Sequence, residues 1–63
     1  MTSVYRQLTA VLKQHGYSLY RQSKGSHEYW CKNGCDCVSV PYTIKSRHTA
    51  NDILKKAGIR QKI

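Results

Sequence analysis

The apolar residues at the start of the chain recur at the spacing of one helix face. Between residues 3 and 15 they stand at i, i+4, i+7 and i+8: Val4, Leu8, Val11 and Leu12. Thr2 or Ser3 can cap this helix at its N-terminus, because either hydroxyl can accept a backbone N–H bond. Gly16 stands where a residue in the left-handed conformation would end the helix. The pattern therefore predicts a first amphipathic helix.

Three extended segments follow, and turn signals separate them. Their expected bounds are residues 17–22, 27–32 and 35–40. Apolar and polar residues alternate in the first segment, as in a strand with one buried face. Asn33-Gly34 is a strong hairpin signal, since both residues tolerate the positive φ of a two-residue turn. Pro41 ends the third strand because proline has no N–H for the ladder.

The last segment predicts a second, shorter helix after a basic loop over residues 42–48. Thr49 is the expected cap, and the apolar face consists of Ala50, Ile53, Leu54 and Ala57. Gly58 is a helix-ending residue, and Ile59 can close the end of the helix against Leu54. The order α-β-β-β-α predicts an α+β fold, in which two helices cover one face of a three-stranded antiparallel sheet. At 63 residues the chain is expected to form a single domain, 1–63.

A two-residue turn at Asn33-Gly34 would pair Cys31 with Asp36 and Trp30 with Cys37. Cys31 then shares the core face with Tyr29, whereas Cys35 and Cys37 lie on the outer face beside Trp30. Thiols on opposite faces cannot converge on one ion, so we expect free cysteines and no metal site. The same register makes Tyr29 a core residue, and it leaves Tyr20 and Trp30 exposed for stacking on bases.

Charge points to a polyanionic partner. Eleven Lys and Arg face three Asp and Glu, which gives a net charge of +8. Nucleic acid is the first candidate, ahead of an anionic membrane or an acidic protein. No apolar run reaches membrane-spanning length and no signal-peptide pattern opens the chain, so we expect a cytoplasmic protein.

His27 is the main candidate for chemistry. It follows the basic turn Ser23-Lys24-Gly25-Ser26 at the start of the second strand. Imidazole accepts and donates protons near neutral pH, so His27 could take the proton of a ribose 2′-hydroxyl. The plain alternative is a polar residue that opens a strand. Strict alternation places His27 on the same face as Tyr29, which is the predicted core face. For the imidazole to reach solvent, His27 must lie beyond the helices or follow a bulge at Ser26.

Three groups of residues together resemble the HicA toxin family, also called YcfA-like. They are Lys24-Gly25-Ser26-His27, Val38-Ser39-Val40-Pro41, and the ending from Ile53 to Ile59. The resemblance implies a double-stranded-RNA-binding-domain-like fold and an mRNA interferase whose catalytic histidine is His27. It also implies a HicB-type antitoxin that covers the active site. The segment Cys35-Asp36-Cys37 and the loop residues Ser46-Arg47-His48 depart from the family pattern.

The resulting hypothesis is an endoribonuclease that needs neither a metal nor a cofactor. Its RNA would be held by Arg21, Lys24, Lys45 and Arg47, with the backbone amides of Gly25 and Ser26 close to a phosphate. Two alternatives remain. One is a binding module that holds RNA without cutting it, and the other is an interaction protein for an acidic partner.

Overall fold

A computed structural model of the chain describes residues 3–22, 25–32 and 36–63. It contains the predicted order of elements: helix α1 (Val4–Gln14), strands β1 (Tyr17–Gln22), β2 (His27–Lys32) and β3 (Asp36–Pro41), and helix α2 (Arg47–Lys56). The strands form one antiparallel sheet in the order β1-β2-β3. The predicted α+β architecture is confirmed.

Both helices pack on the same face of the sheet and share one core with it. The side chains that are almost fully buried come from α1, β3 and α2: Leu8, Leu12, Val40 and Leu54. Trp30 of β2 joins this cluster and is only 3% exposed. Burial of these apolar groups is the main stabilising contribution to so small a fold. No helix of residues 3–22, 25–32 and 36–63 covers the opposite face of the sheet, which we call the open face.

Helix α1 has the predicted ends. Ser3 is the N-cap, and its hydroxyl accepts the N–H of Arg6 at 3.1 Å. Gly16 follows the helix with φ +89°, a backbone conformation that glycine adopts without steric cost. The other candidate cap, Thr2, lies outside the described residues.

Helix α2 begins earlier than predicted. Ser46 is the N-cap and its hydroxyl accepts the N–H of Thr49 at 3.4 Å, so Thr49 was the wrong cap. The apolar face starts only at Ala50, and the polar first turn therefore gave no periodic signal. The predicted end is confirmed, because the Ile59 N–H donates to the Leu54 carbonyl at 2.9 Å beyond Gly58 at φ +77°.

The pairing of β2 with β3 differs from the prediction by one residue. Trp30 pairs with Val38, Cys31 with Cys37, and Lys32 with Asp36. Three residues, 33–35, therefore separate the paired strands instead of the two expected; the predicted hairpin pair Asn33-Gly34 and Cys35 lie outside the described residues. Since side chains alternate between faces, one extra residue exchanges the two faces of the partner strand.

This register overturns four sequence predictions. Trp30 lies in the core and offers no stacking surface, whereas Tyr29 lies on the open face and is only partly buried. Cys31 and Cys37 share the open face and form a disulfide, so the predictions of free thiols there and of cysteines on opposite faces were wrong.

Within residues 3–22, 25–32 and 36–63, no cluster of His, Cys, Asp or Glu could hold a metal ion. Neither described helix is long and apolar enough to cross a membrane.

Candidate active site

His27 is the first residue of β2 and is exposed on the open face. Its neighbour Glu28 is buried on the helix side and Tyr29 returns to the open face. Because Tyr29 is not a core residue, ordinary alternation is enough to place His27 toward solvent. The question of which face His27 occupies is thus answered without a bulge at Ser26.

The turn before His27 is tied to the end of β3. His27 pairs with Pro41, and the Tyr42 N–H donates to the Ser26 carbonyl at 2.7 Å. Gly25 has φ +71°, which L-residues rarely adopt, although no atom of the described residues other than its chain neighbours lies within 4 Å of a Cβ built there. Backbone conformation, and not crowding, therefore requires glycine two residues before His27.

A β-bulge brings Arg21 to the open face. The β1–β2 register runs from Leu19 opposite Trp30 directly to Arg21 opposite Tyr29, which leaves Tyr20 without a partner across the ladder. Without this extra residue, Arg21 would lie opposite buried Glu28. The Arg21 guanidinium instead lies 5.9 Å from the centroid of the Tyr29 ring. Strict alternation along β1 would place Arg21 on the face of Tyr17 and Leu19, and the bulge moves it to the open face.

The predicted site residues come together only in part. Arg21, Gly25, Ser26 and His27 lie around the end of the sheet where β2 begins. Ile44 is 9% exposed, and its N–H donates to the Pro41 carbonyl at 3.1 Å. Lys45, the next residue, therefore lies in the loop that follows this end of the sheet. Arg47 is exposed in the first turn of α2. Lys24 lies outside the described residues.

A buried carboxylate next to His27 was missed by the sequence analysis. Glu28 is 8% exposed, and its Oε1 accepts the Tyr5 hydroxyl at 2.6 Å and the Trp30 Nε1–H at 3.2 Å. Burial, followed by the hydrogen bond and the charge of Glu28, raises the pKa of Tyr5 to about 12. One sequence feature could have identified Glu28: it is an acidic residue inside a strand of a basic chain, directly before two aromatic residues. These hydrogen bonds hold the Glu28 side chain on the helix side of the sheet. Because neighbouring side chains of a strand point to opposite faces, His27 then points to the open face.

None of the three Asp and Glu side chains faces the open side. Glu28 is in the core, and Asp36 pairs with Lys32 on the face that carries the helices. Asp52 is on α2, where its Oδ2 lies 3.7 Å from His48 Nε2. An anionic ligand on the open face would therefore meet Arg21 and His27 without a facing carboxylate.

The two other histidines have local partners. His15 Nδ1 lies 3.0 Å from the Val11 carbonyl at the end of α1, and His48 contacts Asp52. The His27 ring has no hydrogen-bond partner among the residues that the structure describes, and it can exchange a proton with a ligand on the open face.

The site therefore defines a class: a small basic α+β protein with one exposed histidine at the end of an open sheet. Residues 5–59 match the sequence profile of the HicA toxin of bacterial toxin-antitoxin systems. This match covers most of the 63 residues, and the chain belongs to the HicA toxin family. The resemblance seen in the sequence is confirmed. No curated protein and no solved structure matches the chain.

Proposed function

We propose that this HicA-family toxin is an mRNA interferase, an endoribonuclease in which His27 is the general base. The observation that carries the proposal is the exposed His27 imidazole, set on a carboxylate-free face beside a glycine-containing turn. Membership of a toxin family supports it. A general base needs access to its proton donor, and a site without a facing carboxylate suits a polyanionic substrate.

The proposed reaction uses a nucleophile that the substrate supplies. His27 accepts the proton of a ribose 2′-hydroxyl, and the resulting oxygen attacks the adjacent phosphorus. The bond from phosphorus to the 5′-oxygen breaks, that oxygen takes up a proton from water, and His27 releases its proton to solvent. The products are a 2′,3′-cyclic phosphate and a 5′-hydroxyl end. This route requires neither a metal nor a cofactor, and it spares DNA, which has no 2′-hydroxyl.

Substrate binding is proposed to rest on phosphate contacts near this end of the sheet. Arg21 is the best supported cation, because it shares the open face with His27 and Tyr29. Lys45 and Arg47 would extend the contact from the loop and α2, and the N–H groups of Gly25 and Ser26 would approach a phosphate. Lys24, next to Gly25 in the sequence, is proposed to stabilise the charge that develops on the phosphate.

Cleavage of a chimeric substrate tests this chemistry. An RNA with a single 2′-deoxy nucleotide at the mapped cleavage position should resist cutting there, and excess EDTA should leave the rate on the all-RNA substrate unchanged. Analysis of product ends by mass spectrometry should find the cyclic phosphate. Cutting at the 2′-deoxy position, or loss of activity in EDTA, would refute the mechanism. RNA binding without any cleavage would favour the non-catalytic binding module.

We further propose that a HicB-type antitoxin holds the toxin inactive in the cytoplasm by covering His27. An open sheet face with an exposed catalytic group has no cover of its own among the described residues. In the complex, hydrogen exchange should slow at residues 25–29 and at Tyr42, and RNA cleavage should stop. A stable complex that still cuts RNA would contradict this mode of inhibition.

A further inference from the structure

The Cys31–Cys37 disulfide is a feature that the proposed ribonuclease chemistry does not use. It joins β2 to β3 on the open face, at residues that lie directly opposite each other with Cα atoms 4.0 Å apart. We propose that this pair is a redox modification site, which exchanges between dithiol and disulfide with a low-molecular-weight disulfide such as glutathione disulfide.

The backbone brings the two sulfur atoms together. The pairs on either side, Trp30 with Val38 and Lys32 with Asp36, hold the strands in register. Trp30 and Val40 are anchored in the core, so this register does not depend on the disulfide. The Cα–Cα distance is below the value of about 4.5 Å for the closer type of antiparallel pair, the type in which side chains stand nearest to each other. Two thiols at these positions would therefore remain neighbours after reduction.

The two cysteines differ in solvent exposure, and this difference determines which of them reacts first with the small disulfide. Cys37 is exposed, whereas Cys31 is 6% exposed. The Cys37 thiolate attacks one sulfur of the small disulfide, forms a mixed disulfide and releases one small thiol. The Cys31 thiolate then attacks the Cys37 sulfur and releases the second small thiol. Two protein thiols are thus oxidised, the small disulfide is reduced to two thiols, and the thiol protons pass to the released groups.

Closing this bond changes the stability of the hairpin that carries His27. The bond closes a ring from Cys31 to Cys37, six positions apart, and so restricts the unfolded chain. His27 starts one of the two joined strands. Oxidation should therefore favour the folded toxin over its unfolded form, whatever reaction the toxin catalyses.

Counting thiols is the first part of the test. The chain has three cysteines, so we expect three reactive thiols after dithiothreitol and at most one after glutathione disulfide, measured in denaturant. The third thiol can also take up one glutathione, and the protein mass then shows one bound glutathione and no more. Trypsin cuts after Lys32, between the paired cysteines, and the two fragments should stay linked in the oxidised protein. The Cys35→Ser variant should keep this link and Cys37→Ser should lose it. Three thiols after oxidation, or a Cys35–Cys37 bond within one fragment, would overturn the proposal.

Thermal unfolding is the second part. Oxidation should raise the Tm of the wild type and of Cys35→Ser by on the order of 10 °C, because a short ring in a small domain has an effect of this size. The Tm of Cys37→Ser should be the same with either reagent, and excess reduced glutathione should reverse the shift. A Tm of the wild type that does not respond to oxidation, or covalent dimers as the main product, would show that the pair is not this site.

Discussion

Replacing His27 with alanine should lower the rate of RNA cleavage by about 10²- to 10⁴-fold, the range that a positioned general base contributes. The side chain is exposed at the start of β2, and the core does not include it. The free energy of unfolding should therefore change by no more than about 0.5 kcal/mol. Initial rates on a defined RNA, together with urea unfolding of the same samples, measure both effects.

His48→Ala is the matched control for this experiment. The His48 side chain is 89% exposed, and it lies on α2 beside Asp52, on the helix side of the molecule. This variant loses an exposed imidazole as well, but its cleavage rate should stay within about twofold of the wild type, since no reacting group is removed. If His27→Ala cleaves as fast as His48→Ala while both are folded, His27 is not the general base.

Glu28→Ala should have the largest effect on stability, a loss of about 3 kcal/mol in the free energy of unfolding. The substitution removes a buried side chain and leaves two donors, the Tyr5 hydroxyl and the Trp30 Nε1–H, without their acceptor. Urea unfolding followed by Trp30 fluorescence measures the loss. Asp52→Ala, which removes a carboxylate that is 58% exposed, should change stability by less than about 0.5 kcal/mol.

The titration of Tyr5 gives a second readout of the same variant. Folding raises the pKa of Tyr5 from 10.0 to about 12, so its contribution to stability is complete below pH 10 and is lost between pH 10 and 12. Glu28→Ala removes the hydrogen bond and the charge but not the burial. Ultraviolet absorbance should therefore show Tyr5 ionising at lower pH in this variant than in the wild type. An unchanged titration would mean that Glu28 does not act on Tyr5.

The helices and the number of strands could be predicted because local signals specify them. These signals involve only a few neighbouring residues each: the helical spacing in α1, the helix end at Gly16, and the second helix end at Gly58 and Ile59. The β2–β3 register depends instead on the length of one connection. A single additional residue there sent Trp30 into the core and brought Cys31 opposite Cys37. Periodicity within a strand indicates that its faces differ, but not which one meets the helices.

His27 could be selected from the sequence as a candidate residue, whereas the side chains around it could not. His27 could be singled out by the glycine-containing turn before it, and the structure places it in solvent. Arg21 reaches the same face only through a bulge, for which the β1 sequence offers no glycine or other local mark. The role of Glu28 depends on Tyr5, which is 23 residues away in the chain. Contacts of this kind are formed by tertiary packing and leave no local pattern.

The bulge in β1 also affects how copies of the toxin meet. β1 is an edge strand with one free side, and it exposes Leu19 and Tyr20, which are 51% and 69% exposed. A regular edge with such residues is a template for pairing with another chain, and hence for aggregation. The irregularity between Leu19 and Arg21 interrupts the row of backbone donors and acceptors, and Arg21 adds a charge that repels a second basic copy. The distortion that brings Arg21 to the open face, which His27 shares, is thus also expected to oppose edge-to-edge self-association of the free toxin.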